Sequence, residues 1–222
     1  MPSTKQIPYE SEIARKSIHL ASLLIPIVYL HVDHTTGLII LAWMTVVSLS
    51  VDLMMRYHGP TRRVLLALVG PIMRTHELRR DKLHLTGASW VLIAALVTMA
   101  VFPTSVAITA FTVLIVSDTF AALVGRRVAG PGFLDKSVIG TATFILTAWL
   151  VVGVYGSIYS LPWTYYLAGI IGCIVGGVVE AASTRLKVDD NLSIPFSIAV
   201  TMSVLGWIFV MMGYQDFFRA IP

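Results

Sequence analysis

Between Ser117 and Thr143 lie the residues of this chain whose types and spacing could do chemistry. Asp118 interrupts an apolar segment, a short stretch rich in Gly, Arg and Lys follows, and Lys136-Ser137 and Gly140-Thr141 lead into the next apolar segment. An acid can hold a metal ion, glycines let a backbone approach closely, and fixed cations offset negative charge. These are the residue types that a phosphate-bearing ligand requires.

Phosphate groups bind at helix N-termini and on glycine-rich backbone. Gly125 and Gly130 have the spacing of a Walker A motif, but Pro131-Gly132 follows where Lys-Ser/Thr is needed and no strand precedes, which excludes a P-loop NTPase. The predicted phosphate ligands are the glycines of the loop, its cations and the residues that open the next helix: Gly125, Arg126, Arg127, Gly130, Gly132, Lys136, Ser137, Gly140 and Thr141.

Asp118 lies about one turn inside an apolar helix, with Ala121, Ala122 and Gly125 along the same face. Small residues there let a ligand or another backbone come close. A buried acid paired to a neighbouring helix is the structural alternative, and the cationic loop that follows favours function. Alone or together, three acids could hold Mg²⁺, which takes few protein ligands when it bridges phosphate oxygens: Asp118, Glu180 and Asp190.

The other polar residues collect at the ends of apolar segments, where charges are costly and therefore informative. One helix face carries charge at i, i+3, i+4 and i+7, and is either part of a site or a set of snorkelling side chains: Glu12, Arg15, Lys16 and His19. A second charged group precedes the third apolar segment: Arg74, Glu77, Arg80 and Asp81.

Two pairs have simpler predicted roles at helix ends. Asp52 and Arg56 are spaced as an i, i+4 pair leaving the second apolar segment. Asp190 or Asn191 is placed to cap the last helix, a role that does not exclude function.

The composition determines the class of protein. The chain has 222 residues, 56% hydrophobic and 13% charged, with a mean hydropathy of +0.81. Soluble domains carry about 25% charged residues, so we expect an integral membrane protein. A β-barrel is excluded because the apolar residues form long runs rather than alternating with polar ones.

The length fits a single all-α membrane domain, residues 1–222, of about seven helices at roughly 20 residues each. The predicted spans are 17–31, 36–55, 85–102, 104–124, 138–159, 163–182 and 193–213, and 61–74 is predicted to be an interfacial helix. On the sixth span, close packing within one chain or across a homodimer is expected from Gly169, Gly172, Gly176 and Gly177.

The basic residues predict the orientation. Of the sixteen Lys and Arg residues, all but Arg219 fall in the N-terminal segment and in alternate loops. The positive-inside rule then places the N-terminus and the charged clusters in the cytoplasm and the C-terminus outside. The net charge of +4 is explained by this topology, so no nucleic-acid partner is expected.

The motifs resemble the CTP-dependent lipid kinases, which comprise dolichol kinase, phytol kinase and yeast-type diacylglycerol kinase. The resemblance covers nearly the whole chain, through Glu12-x-x-Arg15-Lys16-x-x-His19, Leu85-Thr86-Gly87-Ala88-Ser89, Asp118-x-x-Ala121-x-x-x-Gly125-Arg126 with Gly130, Lys136-Ser137-x-x-Gly140-Thr141, Glu180, and Asp190-Asn191-Leu192-x-Ile194-Pro195. It implies CTP as phosphoryl donor and a membrane lipid alcohol as acceptor. Dolichol kinases have a motif similar to Lys-(Ser/Thr)-x-Glu-Gly-Thr, and Ile139 stands in this chain in place of the Glu. This difference favours diacylglycerol or a prenol such as phytol as the acceptor.

On this resemblance Lys136, Arg126 and the loop backbone would bind phosphates, and Asp118 would hold Mg²⁺ or take the proton of the acceptor hydroxyl. Arg15 and Lys16 would reach the phosphate tail or the lipid product. Metal or cytidine would be held by Glu180, Asp190 and Asn191.

Two other functions stay open. A CDP-diacylglycerol synthase-like cytidylyltransferase has a similar Asp, Gly and Lys arrangement, but also a Gly-His-Gly-Gly and Asp-Arg-x-Asp ending that this chain lacks. A transporter would place charges near the middle of the bilayer, whereas here they cluster at one face.

Overall fold

The fold is known from a computed structural model that describes residues 8–70, 73, 85–128, 130–186, 188–218 and 220–221. The predicted charged group Arg74–Asp81 lies outside these residues, as do Lys5, Lys187 and Arg219. Helices and one short hairpin follow in the order α1 Tyr9–Ala21, α2 Leu24–Tyr29, α3 His34–Tyr57, α4 Gly59–Val69, α5 Gly87–Val101, α6 Thr104–Arg127, β1 Gly132–Phe133, β2 Lys136–Ser137, α7 Val138–Ile158, α8 Trp163–Ala181, α9 Ser183–Leu186 and α10 Asp190–Met211.

The prediction of an all-helical membrane protein is confirmed at this level. Among the described residues five helices are long and apolar enough to cross a membrane: α3, α6, α7, α8 and α10. The other two predicted spans are shorter helices. The third predicted span, 85–102, is the helix α5, which has 15 residues. At 1.5 Å per residue this helix extends only about 22 Å.

The first predicted span is divided between α1 and α2. Pro26 has no backbone N–H, so it cannot donate to the carbonyl of Ser22 four residues earlier. That carbonyl accepts instead from the N–H of Ile25, at 3.0 Å. The tighter turn at Ser22 and Leu23 ends α1 and begins α2.

Helix α6 is the centre of the bundle. In its apolar stretch 78% of the residues are buried, against 17% for α3. It packs against α1, α2, α5, α7 and α10, and α8 lies against α7 and α10. Asp118 is therefore carried by the most enclosed of the five long apolar helices that the structure describes.

The glycines of α8 face the inside of the bundle. A Cβ atom on Gly169 would lie 2.7 Å from the side chain of Val152 on α7, and one on Gly176 would lie 2.6 Å from Ile198 on α10. A Cβ on Gly172 would lie 3.1 Å from Met202 on α10, and one on Gly177 would lie 2.8 Å from Ile145 on α7. The predicted packing within one chain is confirmed, and a contact across a homodimer stays a prediction.

The C-terminal segment closes the end of the bundle at which α6 and α8 begin. Phe217 is buried, and its ring packs against that of Tyr165. Gly206 makes room for Phe217 and Phe218, since a Cβ there would lie 2.5 Å from the Phe218 ring. The hydroxyl of Ser105 donates to the carbonyl of Phe218 at 3.3 Å.

Candidate functional site

The predicted glycine-rich loop is shorter than expected because α6 continues through Arg127. Gly125, Arg126 and Arg127 are helical, which corrects their assignment to a loop. The rest of the loop contains a hairpin, in which Gly132 pairs with Ser137 and Phe133 with Lys136.

The hairpin is anchored at its tip. The backbone N–H of Asp135 donates to the carbonyl of Ala181 at 3.0 Å, and its carboxylate accepts from the guanidinium of Arg185 at 2.9 Å. These contacts tie the hairpin to the end of α8 and the start of α9. Lys136, which follows the tip, therefore has a defined position.

Gly125 and Gly140 form the crossing of α6 and α7. A Cβ on Gly125 would lie 3.1 Å from the Cα of Gly140 and 3.0 Å from the Oγ of Ser137. Ser137 caps α7, accepting from the N–H of Gly140 at 3.0 Å. Close helix packing thus explains both glycines, and the N–H of Gly140 already has a partner. Gly130 and Gly132 are exposed in the hairpin segment.

Substitution of Gly125 by alanine should destabilise the protein by about 1–3 kcal/mol, the usual cost of overpacking. The added methyl group would meet the backbone of Gly140, which cannot move away as a flexible side chain can. The matched control is Gly153→Ala on α7, where no atom lies within 4 Å of the new Cβ. Alanine has a higher helix propensity than glycine, so this control should raise the free energy of unfolding by up to about 1 kcal/mol. Thermal unfolding in detergent measures both changes, and equal melting temperatures for the two variants would disprove the crossing.

A buried ion pair joins α1 to α6. The ammonium of Lys16 donates to the carboxylate of Asp118, and the two residues are 1% and 4% exposed. The Nε2 atom of His19 lies 3.6 Å from the same carboxylate. The predicted alternative for Asp118, an acid paired to a neighbouring helix, therefore describes its contact in this structure.

Lys136 lies among carboxylates from three helices. Its Nζ is 2.8 Å from Oε1 of Glu180 at the end of α8. Burial lowers the pKa of the Lys136 ammonium, but the carboxylates of Glu180, Asp118 and Asp190 outweigh burial and raise that pKa above its ordinary value. Lys136 is therefore a permanent cation at neutral pH rather than a base. Its side chain is 35% exposed, so a ligand can reach it from outside.

Lys136 and the carboxylates of Glu180, Asp118 and Asp190 form the first of two charged clusters. The second cluster, Glu12, Arg15 and Arg126, joins the start of α1 to the end of α6. The guanidinium of Arg15 donates to Glu12, and Arg126 Nη1 lies 3.4 Å from Oε2 of Glu12. Glu12 is 5% exposed. The sequence placed Glu12 and His19 on the charged face of α1 but did not include them among the site residues. Their helical spacing with Arg15 and Lys16 was the feature of the sequence that could have identified Glu12 and His19 as neighbours of the site.

The residues present fit a magnesium ion bound together with phosphates better than a cage of protein ligands. Within the described parts of the chain, no three His, Cys, Asp or Glu side chains are grouped to hold a metal ion. Mg²⁺ is usually bound by one or two carboxylates plus substrate phosphates. Glu180 offers an oxygen, Oε2, that is buried and has no hydrogen-bond partner among the described atoms. Thr141 Oγ1 and Ser117 Oγ are also buried and have no hydrogen-bond partner among the described atoms.

The start of α10 differs slightly from the prediction. The capping residue is Asp189, whose carboxylate accepts from the backbone N–H of Asn191 at 3.0 Å, so neither Asp190 nor Asn191 is the cap. The side-chain amide of Asn191 donates to the same oxygen at 2.7 Å. Asp190 lies in the first turn, where its charge acts on Lys136 and His19.

Asp52 has a different partner from the one predicted. Its two carboxylate oxygens accept from the backbone N–H and the hydroxyl of Thr86, each at 2.9 Å. Arg56 instead lies over the ring of Tyr57. Asp52 thus fixes the start of α5 to the end of α3, which is a structural role.

Comparison with known proteins gives a relative without an assigned activity. The chain is 28% identical over 200 residues to a protein of Rickettsia prowazekii (strain Madrid E) named "Uncharacterized protein RP860", covering 90% of this chain and 97% of that protein. No family model and no solved structure matches the chain. The arrangement of charges is therefore the main guide to function.

Proposed function

We propose that this protein is a CTP-dependent kinase that phosphorylates the hydroxyl group of a membrane lipid alcohol. The acceptor is diacylglycerol or a prenol such as phytol, and dolichol is the weakest of the three because of Ile139. The proposal combines the resemblance of the motifs to CTP-dependent lipid kinases with the charged clusters at one end of an apolar bundle.

The observation that carries the proposal is the position of Lys136. A protonated, partly exposed lysine lies 2.8 Å from a buried glutamate and is influenced by two further aspartates. Phosphoryl transfer requires mainly positioning and neutralisation of charge, which such a mixture of fixed cations and acids supplies. The surrounding helices supply the apolar surface that a lipid tail needs.

Four basic residues and Asp118 have roles in the proposed reaction. Lys136, Arg126 and Arg15 bind the phosphate groups of CTP. Lys16 exchanges Asp118 for a phosphate oxygen, and the carboxylate of Asp118 is then available to a metal ion or to the proton of the acceptor hydroxyl.

Mg²⁺ would be held by the carboxylates of the same clusters, with Glu180 first because of its unpartnered oxygen, then Asp190 and Asp118. It would supply charge neutralisation at the phosphates. The protein's own contribution is to keep these carboxylates buried and oriented.

The arrangement of charges argues against transport. Arg126, Lys136 and Glu180 lie at the end of the bundle where α6 finishes and α7 begins. Asp118 lies about two and a half turns before the end of α6, deeper than the one turn predicted, and it is paired there with Lys16. The opposite end is filled by Phe217 and Phe218. A transport path would require polar groups along the middle of the bundle.

The proposed topology has seven crossings, with the N-terminus and the site in the cytoplasm and the C-terminus outside. It counts α1 with α2 as one crossing and the short helix α5 as another. The ends of α6 and α8 and the starts of α7 and α10 meet at the clusters, as alternating crossings require. The positive-inside rule then gives the direction.

Cysteine labelling tests this orientation. Cys173 is fully buried and is replaced by alanine to give a silent background. Thr184→Cys in α9 and Ser160→Cys in the α7–α8 turn place a thiol at exposed positions. In intact cells a membrane-impermeant maleimide should label the second thiol and not the first, and in inverted vesicles the reverse. The opposite pattern would invert the topology.

The function is tested by incubating purified protein in lipid vesicles with CTP, Mg²⁺ and a panel of lipid alcohols, and in parallel with a phosphorylated lipid in place of the alcohols, followed by mass spectrometry. A lipid monophosphate together with CDP is the expected product. A CDP-lipid together with pyrophosphate, formed from a phosphorylated lipid, would replace the kinase with a cytidylyltransferase.

A further inference from the structure

Glu12 is a buried acid that the proposed reaction does not use as a ligand. It is 5% exposed and lies in the first turn of α1. Both Nη2 and Nε of Arg15 donate to its carboxylate, and Nη1 of Arg126 lies 3.4 Å away on α6. Burying a carboxylate is costly unless it is paired, so this residue has a specific task at this position.

The carboxylate brings two guanidinium groups together from two helices. Their like charges repel each other without an anion between them. Each side chain stays partly accessible, at 24% for Arg15 and 23% for Arg126, so both can be approached from outside. Guanidinium groups bind phosphate oxygens in a bidentate manner and with defined geometry.

Glu12 stays ionised at neutral pH. The hydrogen bonds from Arg15 and the nearby guanidinium of Arg126 favour the charged carboxylate. The contact is therefore present throughout the neutral range.

We infer that Glu12 is a positioning residue, which holds Arg15 and Arg126 as a two-arginine clamp for the phosphate tail of the nucleotide. This inference rests on the proposed function, because it names the residue that orients the phosphate ligands of the same site. It also makes a claim about polyphosphate binding that does not require catalysis.

The probe is inorganic tripolyphosphate, titrated by calorimetry into the full-length protein in detergent. Glu12→Gln should weaken its binding about tenfold, as expected for loss of an oriented charge-assisted contact. Glu10→Gln is the matched control, since Glu10 lies in the same helical turn and is exposed; it should bind as the parent does. In the kinase assay, Glu12→Gln should raise the KM for CTP about tenfold while kcat changes less.

Glu12→Asp keeps the charge and guards against a folding defect in Glu12→Gln. Its carboxylate is one methylene shorter and cannot reach both guanidinium groups, so binding of tripolyphosphate should weaken by a smaller factor. The inference would be overturned if both variants bound tripolyphosphate as tightly as the parent, whether or not their melting temperature fell. It would also be overturned if the parent protein bound no tripolyphosphate. If binding depends on Glu12 but CTP transfers no phosphate, the clamp stands and the proposed function fails.

Discussion

Replacing Asp118 with asparagine should abolish CTP-dependent phosphorylation and destabilise the fold. The substitution leaves the ammonium of Lys16, which is 1% exposed, without its buried partner. Removal of one member of a buried ion pair costs about 3–5 kcal/mol. The expected loss of rate is at least about 100- to 1,000-fold, the effect of removing one group that stabilises transition-state charge. Initial rates and thermal unfolding of the purified variant measure the two effects.

A double variant separates folding from chemistry. Lys16→Met together with Asp118→Asn removes both charges, and a buried pair replaced by uncharged groups is often as stable as the original. The double variant should therefore recover much of the stability and none of the activity. If it recovered activity as well, the pair would have only a structural role and the assignment of Asp118 and Lys16 to the site would be wrong.

Replacing Lys136 with glutamine should lower the rate by about 100- to 1,000-fold, because it removes the central cation of the site. The effect on stability should be smaller than that of Asp118→Asn. Lys136 is 35% exposed, and water can enter to hydrate the carboxylate of Glu180 that it leaves behind. The measurement is again the initial rate, compared with the melting temperature of the same preparation.

The control for this variant is Arg63→Gln, which removes an exposed cation from α4, a helix that packs on α3 outside the clusters. It should keep the parental rate. A Lys136→Gln protein with more than a tenth of the parental rate would contradict the role of Lys136. An Arg63→Gln protein that is equally impaired would show that overall charge rather than the position of Lys136 matters.

The helices could be predicted closely from the sequence because long apolar runs have no other stable form in a membrane. The runs predicted at 138–159 and 163–182 are the helices Val138–Ile158 and Trp163–Ala181. The run predicted at 17–31 is an interrupted helix, because hydropathy does not register the loss of one hydrogen bond at Pro26. The run predicted at 85–102 is a shorter helix, because hydropathy does not register the extended conformation of Phe102.

Which charged residues lie close together could be predicted better than how they pair. Asp118, Lys136 and Glu180 were predicted from residue type and position, and the structure brings them together. That Lys16 holds Asp118 while Lys136 holds Glu180 depends on how α1, α6 and α8 pack, which spacing along the chain does not determine.

The glycines show the main limit of a pattern. Gly125 and Gly140 were predicted to bind phosphate, which stays a prediction, and the structure shows that they allow two helices to touch. Both uses require a missing side chain, so the sequence alone does not distinguish them. The partner of Asp52 also could not be predicted from the sequence, because Thr86 lies 34 residues away along the chain.

The most direct test of the central claim is to follow the label of CTP carrying ³²P at the γ position, and separately at the α position, with the purified protein in vesicles that contain diacylglycerol or a prenol. We expect the γ label to enter the lipid fraction and the α label to stay in water-soluble CDP. Entry of the α label into lipid, or of neither label with any acceptor of the panel, would contradict it.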